Sequence, residues 1–447
     1  MGESALLAEM TAAQRAERAA VARRLLAAGQ LCRLRMAGIA ARQRTQWCID
    51  NWEAVAAEVG AELGISRGRA SSAMNYGVEL IERLPRLAEL FAAGDVDFRV
   101  VAAAVFRTGL VTDEGVIAEI DRMIAARAQG WNALSRNRIT QLIDQWVARL
   151  DPAAVRTSRS AAQDRHIEFG DTHDGMVGFW GSLRAADAAL LDRRLEDLAG
   201  QAPPEDDRTK AQRRADALVA LAAGGLSGET ARPVIHVLAE AATVSGTGTA
   251  PGYLPGYGAI PAESVRDLAD RAKVRFLSRP GELGAEAGYR PSTALADFIR
   301  CRDLHCRFPG CDKPAEFCDI DHTIPWDRGG PTHPSNCALL CRAHHLLKTF
   351  WVGRKGWSER QFPDGTIRWT SPSGRTYTTT PGGALFFPQL AQPTAELTVT
   401  ERHPVTASAR GLMMPTRRRS RAAERAARIA WERGLNEARW AADPPPF

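Results

Sequence analysis

No apolar run in these 447 residues approaches the roughly 20 that a membrane-spanning helix needs, which excludes a helical membrane anchor from the reading. The opening residues, MGESALLAEMTAAQRAERAAVARR, mix charges throughout and lack the apolar centre of a signal peptide, so a cytoplasmic location is expected. Lysine is nearly missing: five of the 58 basic residues are lysine, a bias that reflects a GC-rich coding sequence more simply than any guanidinium chemistry. The glycine-rich stretch SGTGTAPGYLPGYGAIPAE lacks the Lys-Ser/Thr of a phosphate loop and contains three prolines, which leaves a linker or flexible loop. Cysteine is sparse and uneven. Six of eight fall between Cys301 and Cys341, whereas Cys32 and Cys48 stand alone in helical sequence as small buried hydrophobes. Such clustering excludes an evenly spread disulfide framework and argues for metal.

What is present is ordinary globular composition, 45% hydrophobic and 25% charged, over a length that suits several domains. The expected fold class is mainly α with small α+β parts. Residues 1–150 read as a helical bundle, with period-3.6 apolar patterns in SALLAEMTAAQRAERAAVARRLLAA and VELIERLPRLAELFAAG. Within it, WEAVAAEVGAELGISRGRASSAMNYGVELI has the form of a helix-turn-helix, with Ser66 as an N-cap and Arg67 and Arg69 opening the second helix. A plain αα-hairpin uses the same turn chemistry and is the commoner outcome. Residues 151–290 read as a mixed α/β continuation, with a strand pair around DRHIEFGDTHDGMVGFWGSL and a buried strand in PVIHVLAE. Residues 291–387 hold the cysteine cluster and then a hairpin around Pro363-Asp364-Gly365; residues 388–447 read as a proline-rich linker and a basic helix.

The cluster carries chemistry. In CRFPGCDKPAEFCDIDHTIPWDRGGPTHPSNCALLCRAHHLLKT, Cys306 and Cys311 form one knuckle and Cys341 and His344 another, the two close pairs that tetrahedral Zn²⁺ requires. Between and beside them lie Asp321, His322, Asn336 and His345. Asp321 and His345 are candidate ligands of a hard cation, Mg²⁺ or Mn²⁺, that would neutralise charge on a phosphodiester under attack. His322 is then the candidate general base, because neutral imidazole titrates near working pH. Adjacent strand residues face opposite ways, so Asp321 and His322 reach one site only if the strand bends at that step. Asn336, in a turn-rich loop, is placed to bridge backbone groups and steady the His322 segment. A helix is expected to open near Ala338, with Cys341 and His344 on one face, His345 rotated towards the reaction centre, and Lys348 a turn beyond, near phosphate.

The order CRFPGC, CDIDH, GGPT, N, LCRAHH, KT resembles the HNH endonucleases in their zinc-braced ββα-metal form. Together with the helical N-terminal half and the segment PDGTIRWTSPSGRTY, it resembles the actinobacterial 13E12 repeat family, in which domain of unknown function 222 precedes a C-terminal HNH domain. The resemblance implies a metal-dependent DNA endonuclease with Asp321, His322, Asn336 and His345 in the family roles. The chain departs from the common pattern in the Cys-x2-His second knuckle and the four residues between Cys306 and Cys311. The net charge of +6 equals the excess of nine arginines over three glutamates from Arg410 to Arg439, which suggests that Arg417, Arg418, Arg419 and Arg421 contact a DNA backbone. A solvated amphipathic helix explains the same charges. Two functions stay open: a nuclease, and a zinc-containing DNA-binding or mobile-element regulatory protein that has lost the reaction. Both take DNA as partner, need no membrane, and are compatible with a homo-oligomer.

Overall fold

Ser66, Asp50, Asp97, Asp113 and Ser135 each precede an apolar-periodic run, and in the computed structural model each side chain caps the helix that follows. The structure describes residues 2–37, 44–156, 165–173, 176–183, 185–201, 206–223, 236–255, 258–270, 272–353, 356–397 and 413–442. The chain divides into two units, Met1–Arg156 with Arg275–Phe447, and Thr157–Val274. The second unit is inserted in the first between Arg156 and Arg275.

The first unit opens with α1 (Glu3–Met36), α2 (Asn51–Leu63), α3 (Arg67–Glu82), α4 (Pro85–Ala92), α5 (Phe98–Arg107), α6 (Glu114–Ala125) and α7 (Arg136–Leu150). Leu80, Leu84, Leu87, Phe91, Ile120, Ile124, Ile139 and Ile143 are fully buried in its core. α1 and α3 cross where Gly29 meets Gly77, so closely that a Cβ on Gly77 would overlap the Leu25 carbonyl. α2 and α3 are the helix-turn-helix candidate. Gly64 adopts φ 62° at the turn, Ala70, Ala73 and Met74 face inward, and Arg67 pairs with Glu53. The pair packs into the bundle as two consecutive helices, with Arg69 exposed at the start of the second.

In the second unit, β1 (His166–His173) and β2 (Met176–Ser182) pair antiparallel, followed by α8 (Ala185–Gly200), α9 (Lys210–Ala223) and α10 (Ala241–Val244). The glycine-rich stretch expected to be a loop instead carries a short hairpin, β3 (Gly252–Leu254) with β4 (Gly258–Ile260), before α11 (Ala262–Ala269). The strand expected in PVIHVLAE lies partly outside the described residues; within them only Leu238 bridges Tyr253.

The remaining elements return to the first unit: α12 (Thr293–Asp303), β5 (Cys318–His322), β6 (Cys337–Cys341), α13 (Arg342–Phe350), then a meander of β7 (Ser358–Gln361), β8 (Ile367–Thr370) and β9 (Thr376–Thr379), and finally α14 (Arg421–Ala442). Gly365, at φ 80°, turns β7 into β8. Under this module lies a cluster of charge. Arg302 and Arg307 both bond the fully buried Asp303 carboxylate, which also accepts from Leu339 N at 2.9 Å. Burial opposes the Asp303 charge, but the two arginines hold its carboxyl below the ordinary range. Arg302 further donates to Pro334 O and Cys337 O, and Arg307 to Thr379 O, so one buried carboxylate organises α12, β6 and β9. Ile49, Ala57 and Ala61 pack with Phe308, Trp357 and Trp369, joining the module to α2.

Candidate active site

β5 and β6 pair antiparallel in the register Cys318 with Cys341 through His322 with Cys337, and α13 follows at once. This is a ββα arrangement. The helix expected to open near Ala338 begins instead at Arg342, because Ala338, Leu339 and Leu340 are buried in a strand between β5 and the module core. Cys341 is consequently the last residue of β6 and the N-cap position of α13.

Cys306, Cys311, Cys341 and His344 bring four ligand atoms within 4.8 Å of one another. His344 Nδ1 lies 3.3 Å from Cys341 Sγ and 3.4 Å from Cys306 Sγ, near the roughly 3.6 Å edge of a tetrahedron with Zn–S of about 2.3 Å and Zn–N of about 2.0 Å. Burial, with the neighbouring Cys311, Cys318 and Cys341 groups, pushes the Cys306 thiol up, whereas hydrogen bonds from Cys306 and Cys311 draw Cys341 down towards the thiolate. Three sulfurs, two buried and that of Cys311 half-buried, around one imidazole suit a divalent cation, which would let all three ionise together. The donor set fits a structural metal. Phe308 stacks on the His344 ring at 4.0 Å between centroids and fixes its plane.

A second group of polar side chains lies between β5 and α13. His345 Nε2 is 3.4 Å from Asp321 Oδ1, close to the roughly 3 Å that two neighbouring ligands of an octahedral cation at about 2.1 Å subtend. The other ring nitrogen, Nδ1, is 2.9 Å from Asp319 Oδ2. Asp319 was missed by motif reasoning. Its position two before Asp321 puts both carboxylates on one strand face, a signal CDIDH contains. Lys348 does not reach for phosphate: its side chain is 13% exposed, and Nζ lies 2.7 Å from Asp321 Oδ2, 2.6 Å from Glu359 Oε1 and 2.7 Å from His322 O. Burial works against that charge, yet Asp321 and Glu359 more than offset it and hold Lys348 above its ordinary value. Lys348 orients Asp321 from the rear, an inward role set by the packing of α13 on β5 and β7.

His322, the next residue of β5, packs against a different set of groups. It is 5% exposed, its Nε2 is 2.8 Å from Thr332 Oγ1, and its ring stacks on Tyr289 at 5.2 Å with Trp326 beside it. Burial pushes the imidazole below its ordinary value, with Asp321 opposing and Lys348 assisting, so it is neutral at pH 7. Asn336 is fully buried; its Oδ1 accepts from Ile324 N, and its Nδ2 donates to Ile324 O and Pro331 O. These bonds close the loop that follows His322, so Asn336 acts on the loop backbone. Gly330 packs against them, and a Cβ there would strike Ile324 O.

Several arginines of the tail pair with acidic groups of the helical body. Arg421 bonds Asp50 and Glu53 at 3.2 and 2.6 Å, Arg417 lies 3.7 Å from each, Arg425 pairs with Glu79, and Arg433 holds Asp151 at 2.6 Å. Arg417 and Arg421 strap the tail to the helical body. Arg418 and Arg419 are exposed. Among the described residues no helix is long and apolar enough to cross a membrane.

The profile of a domain of unknown function, DUF222, matches residues 12–303, and that of the HNH endonuclease domain matches residues 301–350. The uncharacterized proteins Rv2100 and Rv3776 of Mycobacterium tuberculosis (strain ATCC 25618 / H37Rv) are 43% and 42% identical to the chain, covering 100% and 96% of it and 90% of each relative. The uncharacterized protein Rv1945 of the same strain is 27% identical over 52% of the chain and 56% of that relative. No solved structure matches. The HNH module gives the C-terminal part a nuclease-type character, and the chain as a whole belongs to the family in which the DUF222 domain is followed by an HNH endonuclease domain.

Proposed function

We propose that the protein is a metal-dependent endonuclease that hydrolyses DNA phosphodiester bonds, with zinc bracing the module and Mg²⁺ or Mn²⁺ serving the reaction. The observation that carries this reading is the pairing, at consecutive residues of β5, of a buried neutral His322 with an Asp321 whose carboxylate meets His345. In this reading Cys306, Cys311, Cys341 and His344 hold zinc. Asp321 and His345 would hold the second cation, which when bound supplies charge neutralisation at the phosphate and at the departing 3′ oxygen. His322 accepts the proton of the attacking water. Lys348 and Asp319 fix the two ligand side chains, and Asn336 keeps the loop after His322 closed. DNA as substrate is supported by the HNH match and the net charge of +6.

The test is relaxation of supercoiled plasmid by zinc-loaded protein, with Mg²⁺ or Mn²⁺ added and then withdrawn. Cleavage that needs the added cation and leaves 5′-phosphate ends supports the proposal. Failure to cleave across metals and DNA forms, with zinc bound, would leave a zinc-braced DNA-binding protein in its place.

A further inference from the structure

We propose that Thr332 sets the tautomer of His322 and so selects Nδ1 as the nitrogen that takes the proton; the inference rests on the nuclease reading of the same site for its consequence, though not for its geometry. A threonine hydroxyl has one proton. Thr332 Oγ1 gives it to the Gly288 carbonyl at 2.6 Å, with the Tyr289 carbonyl at 3.3 Å on the same side. The oxygen can then only accept from His322 Nε2, 2.8 Å away. Neutral His322 must carry its hydrogen on Nε2, which makes Nδ1 the lone-pair nitrogen.

The surroundings hold this polarity. Thr332 is fully buried, so water does not compete for its hydroxyl. Its own carbonyl accepts from Glu286 N at 2.9 Å, and the Glu286 carboxylate bonds Ser292 N and Oγ at 2.6 Å each, tying the strap 286–292 to the start of α12. Gly288 O is thereby held as an acceptor, and the Tyr289 ring, from the same strap, lies parallel to the imidazole at 17°. Thr332 acts through His322, so it is a positioning residue.

The experiment uses the full chain, zinc-loaded and labelled with ¹⁵N-histidine, its His322 signals assigned by their loss in His322→Gln. Long-range ¹H–¹⁵N spectra at one fixed neutral pH should show the Nε2–H tautomer in the wild type and in Thr332→Ser, and a mixed or Nδ1–H pattern in Thr332→Val. In plasmid cleavage Thr332→Val should lose at least about tenfold in kcat with KM unchanged, short of the roughly 10²–10⁴-fold cost of removing a general base, and Thr332→Ser should recover it. An Nδ1–H pattern in the wild type overturns the inference outright, even if Thr332→Val does not fold. An unchanged tautomer in folded Thr332→Val overturns it as well. The expected tautomer pattern in a wild type that cleaves nothing supports the positioning and sinks the nuclease reading, so the two failures are told apart.

Discussion

The helical body and the HNH module lie in one unit but are held together by different forces. In the body, Leu80, Leu84, Phe91, Ile120 and Ile139 are fully buried with aliphatic and aromatic neighbours, and Asp50, Asp97 and Asp113 cap its helices. The module has an apolar core around Phe308, Leu347, Trp357 and Trp369, and adds to it a four-ligand cage, the Arg302–Asp303–Arg307 cluster and the Lys348–Asp321–Glu359 cluster. The body spreads its stability over many interchangeable contacts. The module adds to its apolar packing a few buried charged groups and a metal cage that cannot be exchanged for one another, and one of these groups, Asp321, is also a proposed ligand. Damage to the module should therefore be local, steep and chemically specific; damage to the body should be graded.

The sharpest way to break this contrast is at the cage. Structural zinc contributes on the order of 10 kcal/mol to folding in small zinc modules, so Cys306→Ser should abolish zinc binding and unfold the module while the helical body keeps its far-ultraviolet signal. A Cys306→Ser protein that retains zinc, measured by atomic absorption, and an unchanged melt would refute the ligand set. Next in size is Asp303→Ala. It leaves two buried guanidinium groups without their carboxylate, and thermal melts should show a loss of roughly 3–5 kcal/mol in the module. A loss below about 1 kcal/mol would mean that the cluster is ornamental.

In the body, Gly77→Val forces apart two helices that touch at Gly29, and should cost about 1–3 kcal/mol without changing zinc content. Coupled loss of zinc would show that the two regions do not respond independently. Smaller still is the contrast within the tail. Arg418→Ala with Arg419→Ala should change stability by less than about 0.5 kcal/mol, whereas Arg421→Ala, which abandons the buried Asp50 and Glu53, should cost about 1 kcal/mol. Equal melts for the two variants would remove the strap. For pH, His322 lies below its ordinary 6.5 through burial, and under the proposed mechanism the unprotonated ring is the active form. Cleavage should be level from neutrality upward and fall as pH drops through the lowered value; a midpoint above 7 would contradict the base assignment.

The sequence made the module more legible than its surroundings, for reasons that residues show. Two close ligand pairs mark a metal cage because their spacing is local. The strand Cys337–Cys341 was read as helix because a five-residue run buried on both faces shows no alternation. The tail arginines were assigned to DNA because their partners, Asp50, Glu53, Glu79 and Asp151, lie roughly 280 to 370 positions away, where no pattern reaches. Lys348 is expected near phosphate for the same reason, since its partner Glu359 belongs to a later strand. Thr332 stood within the quoted motif, but its role depends on a carbonyl 44 residues earlier.

The central claim is that His322 performs the chemistry on a frame that does not need it to fold. Supercoiled plasmid should be offered to zinc-loaded wild type and to zinc-loaded His322→Ala, matched for melting temperature, with Mg²⁺ or Mn²⁺ present. The wild type should relax the DNA, and His322→Ala should be slower by roughly 10²-fold or more. Equal rates in the two proteins would contradict the account.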